Sequence, residues 1–268
     1  MSINPTSKIL IAFLIVLTFS CKKYLEEEHS VFASPDQILV DAAGAELYTV
    51  GNYAQIKVLA SDFDGWLLLW GTIGTDEIVI PNWGASIRSI YLHSFTTSNN
   101  LILNVWRNLY RSINRINSGI ERIDAMNSEQ IDEDLKNKYI GEHKFLRAML
   151  YFSLVSTWEN IPLILEESKS EDIGNFEVSQ SSAKEVYNQI IEDLLFAESV
   201  LNEVQGQGRA TKGAAQALLG KVYLQMTGSP LNETDKYTLA ANKLESVINS
   251  GVYDLVSYYP DIFTVDYE

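Results

Sequence analysis

The chain is 268 residues long and carries 35 Asp and Glu against 20 Lys and Arg, a formal net charge of −15. A surface of that sign repels phosphate backbones, and the sequence shows no clustered run of Lys and Arg that would release counterions, so nucleic acid is excluded as a partner. Hydrophobic residues at 46% and aromatics at 11%, with 14 Tyr and 5 Trp, support a packed core and leave flat rings for recognition of other ligands.

Residues 1–20 read as an export signal: Lys8 supplies the charged start, Ile9 to Phe19 an apolar run, and Ser20 a small residue before Cys21. Eleven residues rise only about 16 Å as a helix, against roughly 30 Å of hydrocarbon, so this run cannot span a bilayer. The one cysteine follows Leu17-Thr18-Phe19-Ser20, which is similar to the lipobox cut by the lipoprotein signal peptidase, except that Thr18 stands where the pattern has an aliphatic residue. Cys21 is therefore expected to become a lipid-modified N-terminus, the alternative being an incidental thiol behind a differently cut signal. A lone cysteine closes no intramolecular disulfide, so packing must carry stability. Residues 21–33, with Lys22-Lys23 and Glu26-Glu27-Glu28, form a charged tether, and the folded part is expected over 34–268.

Ser34-Pro35-Asp36-Gln37 is a helix opening, and a helix over about 35–57 is expected from it. From Ala60 to Ser98 no helical period is sustained, and Gly65, Gly71, Gly74, Pro81 and Gly84 predict loops with short helical turns at most. The period returns from Leu101, where Trp106, Leu109, Tyr110, Ile113, Ile116, Asn117 and Ile120 share a face. A second helix carries Phe145, Ala148, Met149, Phe152 and Val155 on one row and Leu146, Leu150 and Leu154 on another; apolar on most sides, it should be buried. After an irregular acidic segment from Glu159 to Gln180, Ser182 with Glu185 predicts a capping box. Thr211 should cap a helix whose Gly213, Ala214, Ala215, Ala217 and Gly220 let axes approach closely, and Gly251 should end the last helix in the left-handed conformation. The expected fold is all-α: antiparallel, tetratricopeptide-like helix pairs in an α-solenoid with long irregular loops.

An ordered set of segments carries a resemblance. These are Trp106-Arg107-Asn108-Leu109-Tyr110 with Ile113, Asn114 and Ile116-Asn117; Gly141-Glu142-His143-Lys144-Phe145-Leu146-Arg147-Ala148 with Tyr151-Phe152; and Trp158 with Ile161-Pro162-Leu163. Tyr187 with Ile190 and Asp193-Leu194, then Gly208 to Ala215 with Leu218-Leu219, and Ser250-Gly251 with Tyr253 complete it. Over about residues 21–263 the chain resembles the SusD/RagB family of outer-membrane nutrient-binding lipoproteins. It departs at Glu159-Asn160, where the family has a glycine before the Ile-Pro-Leu turn, and in length, which reads as truncation at the C-terminal end. The resemblance implies a surface lipoprotein on the outer membrane that binds oligosaccharide, or peptide in some members, and passes it to a TonB-dependent, SusC-like transporter, with neither catalysis nor cofactor. A helical-repeat interaction scaffold without a small-molecule site is the alternative.

The residue inventory agrees with a non-catalytic reading. His29, His93 and His143 share no ligating spacing, no His-Glu-x-x-His is present, and no metal site is expected. Arg147, in an otherwise apolar helix, reads as a structural arginine bridging helices rather than a ligand contact, and Asn117 as a satisfied core amide. Sugars offer apolar C–H faces edged by hydroxyls, so a site needs a ring to stack and polar groups to hydrogen-bond. Asp76, Glu77, Asn82 and Trp83 bring that set together within eight residues of the early loop and are the candidate ligand-binding residues, with Trp83 as the stacking platform. The resemblance also implies ligand contacts from this loop.

Overall fold

A computed structural model describes residues 34–60, 66, 71–79, 83–169, 178–206 and 208–264. They fall into a short N-terminal piece ending at Ile38 and a body that begins at Leu39. The piece is one turn, α1 (Pro35–Ile38), opened as expected by Gln37 reaching back to the Ser34 amide at 2.9 Å.

The single helix expected over 35–57 is broken. Asp41 accepts the Gly44 amide at 2.8 Å and starts a new helix, α2 (Ala42–Tyr53), which runs through a 3-10 turn (Ala54–Ile56) into α3 (Lys57–Ala60). A carboxylate that satisfies orphan amides restarts a helix more cheaply than a continuous one would bury it. Within the stretch expected to be loop lies α4 (Ala85–Tyr91), too short to register a period.

Five long helices follow: α5 (Asn100–Asp124), α6 (Glu133–Trp158), α7 (Ala183–Val200), α8 (Lys212–Met226) and α9 (Lys236–Asn249). Side-chain pairs reveal their directions. Trp106 meets Trp158 and Asn117 meets Arg147; Lys144 meets Asp193 and Phe152 meets Tyr187; Gln216 meets Glu198. Numbers rise on one helix as they fall on the next, so successive helices run antiparallel, each packed on its neighbours in the chain, with the contact between α6 and α7 the most extensive. The fold is all-α and tetratricopeptide-like, with no strand among the described residues and one isolated bridge, Ile161 to Ser181.

The expected caps are present. Ser182 and Glu185 form the capping box of α7, Thr211 accepts the Ala214 amide at the start of α8, and Gly251 has φ +69° beyond α9. The small residues of α8 do what close approach requires: a Cβ on Gly213 would overlap the Tyr253 ring, and one on Gly220 would overlap Leu244 of α9. The main core is built from α5, α6, α7 and α8, with Tyr151, Leu109, Ile113, Leu146, Leu150 and Ile190 fully buried. α6 is buried over most of its length, as its two apolar rows predict.

Residues 161–169, which follow α6, are stitched down. Buried carbonyls need donors, and here Tyr110 Oη donates to Pro162 O (2.8 Å), Tyr151 Oη to Ile164 O (2.6 Å), and Asn117 Nδ2 to Ile164 O (3.0 Å) and Glu166 O (3.1 Å). Ser168 exchanges two hydrogen bonds with the Asn114 amide. These bonds lay the segment 161–169 along α5 and give one of its clefts a second wall.

Candidate functional site

The early loop is fixed at three points. Ile73 is fully buried, Trp66 donates its indole N–H to Thr157 Oγ1 of α6 at 2.6 Å, and Asn99, the N-cap of α5, donates to Ser86 O and Ser89 Oγ of α4, both at 2.9 Å. The same Asn99 accepts the Leu101 amide at 2.9 Å, so one side chain ties the start of α5 to α4. Asp76 and Glu77 sit exposed in the turn after Ile73, where the Glu77 amide donates to Thr75 Oγ1 at 3.3 Å. Trp83 directly precedes Gly84, the N-cap of α4, and is 40% exposed. Asn82 and Cys21 lie outside the described residues. Asp76, Glu77 and Trp83 stay on one loop, and none of them lines the two clefts on α5.

Those clefts were not foreseen. One, of about 650 Å³, is walled by Trp106, Tyr110 and Ile164 and edged by Arg107, Arg111 and Arg115. The other, of about 340 Å³, lies between α5 and residues 54–58 and shares Arg111 and Arg115 with the first, adding Lys57 and Asn108. The sequence shows no clustered run of Lys and Arg, yet the fold forms a basic row: the arginines are four apart, and a helix brings residues at that spacing onto one face. Three arginines in a chain of net charge −15 still make no nucleic-acid surface.

The charged groups buried inside are structural. Arg147 donates twice to Asp193 of α7 and also reaches Asn117 Oδ1 (3.0 Å) and Leu165 O (3.2 Å), the helix-bridging role expected for it; Asn117 is the satisfied core amide expected. Arg209, in the turn before α8, bridges the fully buried Glu142 and the half-exposed Glu46, while Tyr53 donates to Glu142 and accepts the Ala210 amide. Burial alone would raise the Glu46 carboxyl, but the Tyr139 hydroxyl and Arg209 outweigh it and hold it below its ordinary range. Burial is opposed likewise at Arg209, where the two carboxylates hold the proton more firmly than usual.

His143 is fully buried, its Nε2 2.9 Å from the Asn52 amide nitrogen and its Nδ1 2.8 Å from Tyr139 O. A neutral ring with the proton on Nδ1 satisfies both, donating to the carbonyl and accepting from the amide. Burial is the main cause that pushes it down to about 4, with Arg209 acting in the same sense. Among the described residues no three His, Cys, Asp or Glu side chains gather as metal ligands, and no helix is long and apolar enough to cross a membrane.

Comparison with known proteins places this arrangement. The SusD-like family model, described as "Starch-binding associating with outer membrane", matches residues 75–224, from the early loop into α8. A SusD-like protein P25 from Formosa agariphila is 23% identical over 97% of this chain and 49% of its own length. Among solved structures, a SusD homologue from Bacteroides thetaiotaomicron superposes with TM-score 0.72 at 28% identity, covering 85% of this chain and 44% of that one. A laminarin-binding SusD-like protein superposes with TM-score 0.67 at 27% identity, covering 82% and 48%. The chain thus spans about half the length of these relatives. With the family match extending over more than half of its residues and the same helix pairs in the solved relatives, the chain belongs to the SusD-like family.

Proposed function

We propose that this chain captures oligosaccharide at the cell surface and hands it to a TonB-dependent outer-membrane transporter of the SusC type. The observation that carries this reading is the family match over residues 75–224, whose description joins starch binding to the outer membrane. The solved relative that binds laminarin supports a β-glucan as the first ligand to try. Trp83 is the stacking ring, with Asp76, Glu77 and Asn82 as hydrogen-bonding groups from the same loop, and lipid on Cys21 holds the chain on the membrane. The mechanism is binding and release. No side chain is asked to do chemistry on the glycan.

Calorimetric titration with laminarin and starch oligomers tests this directly. Trp83→Ala should weaken glycan binding about tenfold or more, by analogy with the stacking of flat groups on aromatics, with helix content and thermal midpoint unchanged. Loss of the thermal midpoint would make Trp83 a packing residue. Unchanged affinity would leave only Asp76, Glu77 and Asn82 from this loop, and failure to bind any glycan would sink the reading.

A further inference from the structure

We propose that the outer face of α5 holds a second subsite, one that takes the anionic group of a charged saccharide between Arg107, Arg111 and Arg115. For the sugar this rests on the glycan-binding proposal; for the charge it rests on α5 itself. The chain has 35 acidic residues against 20 basic ones, yet the two adjoining clefts are lined by Lys57, Arg107, Arg111 and Arg115, and by no Asp or Glu among the described residues. Three other arginines are paired, Arg147 with Asp193, Arg209 with Glu142 and Glu46, and Arg122 with Glu167, while Arg88 on α4 has no ion pair among the described residues. On α5, Arg115 makes one long hydrogen bond, 3.4 Å to Gln55 Oε1, and among the described residues Arg107 and Arg111 have no ion pair.

Like charges four residues apart on a helix repel, which costs stability, and a bound anion relieves that cost. Successive arginine positions rise about 6 Å along the helix axis, a step comparable to one sugar ring in an extended chain. Each fork matches the two oxygens of a uronate carboxylate or of a sulfate ester. Trp106 and Tyr110 wall the larger cleft at the foot of this row, offering ring surface to the apolar side of a sugar, and at about 650 Å³ it is of the size that holds small ligands. Charge and ring surface on one wall fit an acidic glycan.

The test is a titration of the chain with four ligands at low and high salt: a galacturonate tetramer, a κ-carrageenan tetramer, a neutral galactose tetramer, and laminarin. At low salt an acidic tetramer should bind about tenfold or more tightly than the neutral one, the galacturonate and carrageenan arms showing whether carboxylate or sulfate ester is preferred. High salt should erase the difference. The variant R107Q/R111Q should lose the preference while its thermal midpoint stays the same or rises slightly and its laminarin affinity is kept. Acidic tetramers that bind no tighter than the neutral one, or a preference that survives in R107Q/R111Q, would overturn the subsite. Laminarin binding that persists in that case leaves glycan capture standing, whereas no binding of any ligand removes both.

Discussion

Arg147 grips Asp193 with two parallel hydrogen bonds, Nε to Oδ2 at 2.7 Å and Nη2 to Oδ1 at 2.8 Å, across the contact between α6 and α7. Both side chains are nearly sealed from water, and Lys144 and Gln189 add weaker contacts to the same carboxylate. Removing one member of a buried pair strands the other charge. Arg147→Met should therefore destabilise the fold by about 3–5 kcal/mol, and R147M/D193L should recover most of that loss. Urea denaturation of the three proteins checks it; a double variant no more stable than R147M would show that Asn117 and Leu165, which also lose their donor, dominate.

His143 gives the chain an acid sensitivity that its carboxylates alone would not. The folded imidazole titrates near 4 against an ordinary 6.5, so between these values the unfolded chain holds more protons than the folded one. Stability is then full above about pH 6.5 and falls by about 3 kcal/mol as pH drops to about 4. Denaturation midpoints measured from neutral pH down to about 5 should show the first 2 kcal/mol or so of this loss, and His143→Gln should flatten that slope. An unchanged slope in the variant would assign it to other groups.

Glu159 ends α6 at φ +63° and ψ −88°, a conformation that side chains rarely adopt. It belongs to the pair Glu159-Asn160, where the resemblance leads one to expect a glycine, and a strained backbone lies at that pair. Relief of roughly 1–3 kcal/mol of strain, less the 0.5–1 kcal/mol of added freedom that glycine brings to the unfolded chain, favours the substitution. Glu159→Gly should raise stability by about 1 kcal/mol, read as a thermal midpoint about 2–4 °C higher. A lower midpoint would mean that contacts of the glutamate outweigh its strain.

Cys21→Ala should release the protein from the outer membrane, because the proposed lipid on that residue is the anchor on which surface placement depends. Cell fractionation decides it, and a variant that still fractionates with the outer membrane would end the lipoprotein reading.

The long helices were legible because their apolar positions recur at threes and fours and their ends carry local chemistry. Ser182, Thr211 and Gly251 each act within four residues of themselves. The break at Asp41 was hidden because its flanks, Leu39 and Val40 before it and Ala42 and Ala43 after, continue a helical pattern that one carboxylate overrides. Nothing around Gly206 to Arg209 reveals that Arg209 reaches Glu46, 163 residues earlier, since that pair exists only once α2, α6 and the turn before α8 have docked. For the candidate site, the residue types of the early loop were readable, but its anchors Trp66 and Asn99 act through partners on other helices. The arginine row on α5 has a readable spacing of four, but it is no run of charge in the sequence and becomes a row only on a helix face.

The antiparallel succession of helices also sets how the molecule comes apart. When each helix leans chiefly on its neighbour, cohesion behaves like a row of coupled units, strongest where a helix is flanked on both sides. α6 sits in such a place and buries fourteen of its residues; α9 leans on α8 and buries Ala240 alone, with Tyr237 and Ile248 open to water. Amide hydrogens of α9 should exchange with solvent through fraying, long before those of α6, which wait for the whole body to open. Among the described residues, α9 thus makes a soft edge and α6 a slow-exchanging heart, the helix against which Trp66 is held.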